Sequence, residues 1–188
     1  MGMLLQISRW METLSARIAK VSVWLILILM LVIVTDVTLR RWFVIGSTKL
    51  QELEWHIHGA LFLLCLGWAY TKNAHVRIEL FSEKLGPCSA AAIELLGCCL
   101  FLLPYVGAIL LFGYDYTAFS VEYNEASASA TGLPYRWIIK SVILIGFALL
   151  GFAGIARLLE AIVFLFGPKP LAEKTSFMNR PQHTTGAS

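Results

Sequence analysis

The stretch WIIKSVILIGFALLGFAGIARLLEAIVFLF, Trp137 to Phe166, decides the fold. As a helix, its roughly 30 residues make a rod of about 45 Å, longer than the ~30 Å hydrocarbon core of a bilayer requires, so it must tilt or protrude. Its charges lie toward its ends. Lys140 is expected to snorkel at one end, and Arg157 to pair at the other with Glu160, three residues on. Three apolar stretches precede it, Val21 to Leu39, Leu53 to Tyr70 and Ala90 to Gly113, each near the length of a membrane span. With 58% hydrophobic residues, 14% charged and a mean hydropathy of +0.73, the 188-residue chain is far more apolar than a soluble domain. The expected fold class is an all-α membrane protein with four transmembrane helices within residues 20–167.

Residues 1–19 place Leu4, Ile7, Met11, Leu14 and Ile18 at helical spacing, which predicts an interfacial amphipathic helix lying on the membrane surface. The first apolar stretch is too long for a signal peptide, and no small-residue cleavage pattern follows it, so it is expected to be retained. Residues 168–188 are polar and aperiodic, and a disordered tail is expected there. Lys and Arg of the amino-terminal segment, the loop after the second stretch and the carboxyl-terminal end outnumber those on the opposite side two to one. That places both termini in the cytoplasm, with the Arg40-Arg41 pair against the trend. The net charge of +3 is spread over tails and loops instead of forming one patch, which implies no nucleic-acid partner. Cys65, Cys88, Cys98 and Cys99 form no CxxC pair, and the adjacent Cys98 and Cys99 read as small apolar side chains within a helix.

QELEWHIHG, Gln51 to Gly59, gathers carboxylates and imidazoles, but on a helix Glu52 and His56 share one face while Glu54 and His58 lie nearly opposite. One metal cannot collect all four, and no second helix supplies a matching Glu-x-x-His motif. Haem fares no better: His56 and His58 share one helix end, His75 is in a loop and His183 in the tail. No nucleophile triad, phosphate-binding glycine loop or zinc-protease motif occurs. The expectation is no enzyme and no cofactor. Asp36 and Arg40, four residues apart, are expected to pair at a solvated helix end; an ion site on Asp36, as in a self-sufficient exporter, is the alternative. Glu94 is expected to stay near the headgroups, and Pro104 in CLFLLPYVG to kink or loosen its helix. Gly146, Gly151 and Gly154, with Ala148 and Ala153, allow close helix contact, either within the chain or with a partner. With no midplane acid and no inverted repeat, the helices are expected to bury no charge able to hold or move a solute.

Several pieces stand in a particular order. They are Arg40-Arg41-Trp42-Phe43; Glu52, Glu54 and Trp55 at the entry to the second stretch; His75, Arg77 and Glu79 in NAHVRIELF; Glu122, Glu125 and Ser127 in EYNEAS; and Gly132 to Pro134 ahead of the last helix. Over residues 20–160 this ordered set resembles the small membrane subunit of the tripartite ATP-independent periplasmic (TRAP) transporters, with wording similar to the branch labelled mannitol or chloroaromatic. One departure is Ile78-Glu79, where many relatives carry Val-Asp. The resemblance implies a non-catalytic subunit in a bacterial inner membrane that braces a large membrane subunit. It further implies sodium-coupled import of an organic acid, a 2-oxo acid or similar carboxylate, delivered by a periplasmic binding protein. It also implies that Arg77 and Glu79 pin the cytoplasmic turn or touch the partner, and that Glu122, Glu125 and Ser127 shape the surface met by the binding protein. Ordinary loop capping is the alternative for each. Pro134 is expected to start the last helix, with Trp137 as an interface anchor. The other function class compatible with the composition is a membrane anchor of a redox enzyme.

Overall fold

The computed structural model describes residues 1–72 and 86–178. Regular structure among them is entirely helical: α1 (Gly2–Ser22), α2 (Leu25–Trp42), α3 (Thr48–Thr71), α4 (Pro87–Gly97), a π-helical turn (Cys98–Leu102), α5 (Leu103–Glu122), α6 (Trp137–Phe166) and the short α7 (Lys169–Ala172). Local chemistry sets several boundaries. The Ser47 hydroxyl caps α3 by accepting from the Leu50 N–H at 3.4 Å, and Pro87, whose missing N–H is harmless in a first turn, opens α4. The loosening expected from Pro104 takes the form of the π turn, which ends just before it, with the Leu103 N–H reaching back to the Cys98 carbonyl.

Three helical segments are long and apolar enough to cross a membrane: Gly2–Trp42, Pro87–Glu122 and Trp137–Phe166. The stretch expected as a further span falls on α3, which is not among these three, so four spans are not clearly shown. Its first turns carry Gln51, Glu52, Glu54, His56 and His58, which lower its hydropathy. It lies among α1, α2 and α6.

Helix α6 is the spine, buried along Leu149, Leu150, Ala153, Ala156, Ala161 and Val163 and packed by α1, α3, α4 and α5. It runs beside α3 in the same direction, and the two backbones nearly touch. A Cβ on Gly67 would sit 2.6 Å from the Leu149 carbonyl oxygen, and one on Gly146 would sit 2.8 Å from that of Leu63. These glycines let dispersion contacts form where hydrophobic burial gives little, because lipid tails are as apolar as leucine.

Helix α1 covers the amino-terminal segment, but its place on a membrane surface is not shown, and the stripe it buries is not the apolar one. Leu5, Ser8, Ser15, Ala19 and Ser22 face the bundle, and the Ser8 hydroxyl donates to the Ala156 carbonyl at 3.1 Å. Small side chains allow α1 to approach α6 closely. Residues 168–178, which composition assigns to an unstructured tail, instead form α7 and return to the bundle. Phe177, 1% exposed, packs with Ala91 and Ala161, and Thr175 is buried. Residues 179–188 lie outside the described residues.

Gly67→Ala is expected to destabilise the chain by about 1–3 kcal/mol through overpacking against the Leu149 carbonyl. Gly59→Ala, whose Cβ meets nothing within 4 Å, is expected to be neutral or slightly stabilising. Thermal unfolding in detergent compares the two.

Candidate functional site

At the amino-terminal end of α6, the loop from Tyr123 to Arg136 is held by α3. The Glu52 carboxylate accepts from the Ser127 hydroxyl through Oε1 and from the Leu133 backbone N–H through Oε2 at 2.7 Å. The loop closes on itself through Ser127 N–H to Leu133 carbonyl and Gly132 N–H to Ser129 carbonyl, both 3.0 Å. Gly132 is needed for this approach, because a Cβ there would strike the Ser127 side chain and come within 2.8 Å of Glu52 Oε1. Thus Glu52, Ser127 and Gly132, far apart in sequence, form one clasp. Glu52 spends its lone pairs on the loop, which explains a carboxylate in this position without a metal.

The same loop carries Glu125, which pairs with Lys140 and lies 3.9 Å from Arg136. The Lys140 hydrogen bond is the main reason the Glu125 carboxyl stays ionised below the usual carboxylate range. The expectation that Lys140 snorkels to solvent is corrected: it is 4% exposed, held by Glu125 and seated 3.5 Å from the centroid of the Tyr116 ring. Glu122 ends α5 exposed and outside the clasp; Pro134 is exposed in the loop, and α6 begins three residues later, at Trp137.

A second group joins the end of α2 to the start of α3. Asp36 and Arg40 pair as expected, but Asp36 is 4% exposed and not at a solvated helix end. With its amide oxygen turned toward the guanidinium, Gln51 accepts from Arg40 Nη1 at 3.1 Å. Beside this lock lies an open groove of about 570 Å³ lined in part by Arg41, Glu54 and Trp55.

The third group, toward the other end of α6, is a buried cluster of paired charges. Arg157 is 2% exposed, with Glu160 Oε2 at 3.3 Å from its Nη1 and Glu94 Oε1 at 3.8 Å from its Nε. Glu94 is buried within the bundle and accepts from the Tyr70 hydroxyl at 2.8 Å. The returning segment closes the group: Ser176 donates to Glu160 at 2.6 Å, and the Phe177 ring centroid lies 5.0 Å from the Arg157 guanidinium carbon. The i, i+3 spacing of Arg157 and Glu160 was readable in sequence. Glu94, Tyr70, Ser176 and Phe177 were not, since no local pattern links four separate segments. His75, Arg77 and Glu79 lie outside the described residues.

These features define a class: an all-helical, multi-pass membrane protein whose buried charges are paired near the ends of its central helix. The family model described as tripartite ATP-independent periplasmic transporters, DctQ component, matches residues 29–164. The chain belongs to this family, as a small membrane subunit of a TRAP transporter. No curated protein and no solved structure matches it.

Two outcomes are expected. Because the folded Glu125 carboxyl titrates below its ordinary 4.5, its stabilising contribution is present above that pH and is lost as pH falls through the lowered folded value. A spin label at Ala130 should therefore become more mobile on acidification below 4.5, and Glu125→Gln should make it mobile at neutral pH. Arg157→Leu, which leaves Glu94 and Glu160 buried without their cation, should cost about 3–5 kcal/mol, read as a lowered unfolding midpoint in detergent.

Proposed function

We propose that this chain is the bracing subunit of a sodium-coupled, binding-protein-dependent importer of organic acids, a 2-oxo acid or similar carboxylate, in a bacterial inner membrane. It is non-catalytic, carries no cofactor and acts through two protein partners: a large membrane subunit that holds the transport site, and a periplasmic binding protein that delivers the substrate. The observation carrying this reading is where the charges lie. Between Lys140 and Arg157 helix α6 has no charged residue, a distance of roughly 25 Å, close to the thickness of the hydrocarbon core. Lys140 is closed by Glu125 and Arg157 by Glu94 and Glu160, so neither is directed at a solute.

The same banding supports the reading of α3 as the second of four spans. Lys20 to Asp36, Glu54 to Lys72 and Glu94 to Asp115 bracket charge-free stretches of 15, 17 and 20 residues, roughly 22 to 30 Å at helical rise. The polar first turns of α3 fall at the surface, under the clasped loop. Basic residues put both termini and the Arg157 cluster on the cytoplasmic side, and the Glu52 clasp on the periplasmic side. There the loop around Glu122, Glu125 and Ser127 helps to dock the binding protein, while Arg77 and Glu79 serve the cytoplasmic turn. The order of the sequence motifs supports the branch labelled mannitol or chloroaromatic.

Single-cysteine labelling in cells should mark Ala130 from the periplasm and Met3 only after permeabilisation; the reverse pattern contradicts the orientation. In liposomes, uptake should require this chain, the large subunit and the binding protein together. Glu52→Gln should lower uptake while the large subunit still co-purifies.

A further inference from the structure

The groove between the end of α2 and the start of α3 is not used by the clasp, the Arg157 cluster or the bracing role. Ile33 and Val37 give it an apolar lining, and Trp55, 71% exposed, lines it as well. Its lining also includes two guanidinium groups, Arg40 and Arg41, and two carboxylates, Glu54 and the buried Asp36. The inner pair, Asp36 and Arg40, is locked together, although Asp36 Oδ1 is buried without a hydrogen-bond partner. The outer pair is uncommitted. Among the described residues neither Arg41 nor Glu54 forms an ion pair, with each other or with a third group.

A cation and an anion left open in one groove, with apolar side chains and an exposed tryptophan beside them, describe a ligand with matching parts: a phosphate for Arg41, a hydrogen-donating ammonium for Glu54 and hydrocarbon for Ile33 and Val37. The tryptophan fits the depth at which headgroups meet chains. We propose that the groove is a binding site for a zwitterionic phospholipid whose headgroup carries a primary ammonium, such as phosphatidylethanolamine. The one open cation and one open anion, Arg41 and Glu54, are the selective element. A purely anionic headgroup meets Glu54 as repulsion, and a trimethylated ammonium has no N–H to donate to it. This inference rests on the reading of α2 and α3 as spans whose adjoining ends lie at the bilayer surface; it does not depend on what the complex transports.

The test uses the purified full-length chain in nanodiscs of equimolar phosphatidylethanolamine, phosphatidylcholine and phosphatidylglycerol with matched acyl chains, released for native mass spectrometry. Retained lipid should favour phosphatidylethanolamine by about tenfold over each of the others, the scale of one charge-assisted contact. Glu54→Gln should abolish the preference over phosphatidylcholine, and Arg41→Gln should reduce retention of all three. Equal retention in the wild type, a preference for the anionic lipid, or indifference to both substitutions overturns the proposal. Displacement of the lipid by free inorganic phosphate also overturns it, by showing a simple anion site. So does exclusion of the lipid when the large subunit is bound, which assigns the groove to a protein contact. The wild-type comparison stands without the variants, and both variants are checked for unchanged helical content.

Discussion

The backbone contact between α3 and α6 is the constraint on which the other features depend. Leucine-rich helices in lipid gain little by burying apolar surface against each other, so register has to come from shape and from polar groups. Gly67 against Leu149 and Gly146 against Leu63 supply the shape. With the two helices side by side and parallel, Glu52 at the start of α3 reaches the loop that leads into α6, and Tyr70 at the end of α3 reaches Glu94 near Arg157. A slip of one helical turn along α6 would move these groups by about 5.4 Å and break both ends together.

The buried charges fit the same logic. An isolated ion inside an apolar bundle costs several kcal/mol, and only a close counter-charge with further hydrogen bonds offsets it. Lys140 has Glu125 and the Tyr116 ring; Arg157 has Glu94, Glu160 and Ser176. Both groups sit near the ends of α6, where side chains from loops and from the returning carboxyl-terminal segment can reach them. Pairing there sets the alignment of elements that apolar packing alone leaves ambiguous, and it leaves the middle of the bundle free of charge.

How much of this the sequence revealed depended on the range of each interaction. Helices were legible because their apolar stretches are continuous, and Asp36–Arg40 and Arg157–Glu160 because helical spacing dictates them. The Glu-containing entry of α3 and the Gly-Leu-Pro before α6 were recognisable as pieces of a family pattern. That Glu52 grips the loop holding Gly132 was not, because about 80 residues separate them. Burial of Glu94 and Lys140 was not legible for the same reason: their partners come from elsewhere in the chain. Helix α1 was misread in a different way. Apolar periodicity marked its Leu and Ile face, whereas the packed face is serine and alanine, which carry no hydropathy signal but permit close approach. Phe177 was a lone aromatic in a polar tail, with no periodicity to announce its return to the bundle.

A scaffold whose buried charges are closed on one another, in a chain that belongs to a family of tripartite transporters, fits the proposed bracing role, in which the transport chemistry is left to a partner. The most direct measurement is ion and carboxylate flux through proteoliposomes containing this chain alone, with a sodium gradient imposed. The account predicts flux no greater than in protein-free vesicles. Saturable, sodium-dependent flux through the isolated chain would contradict it.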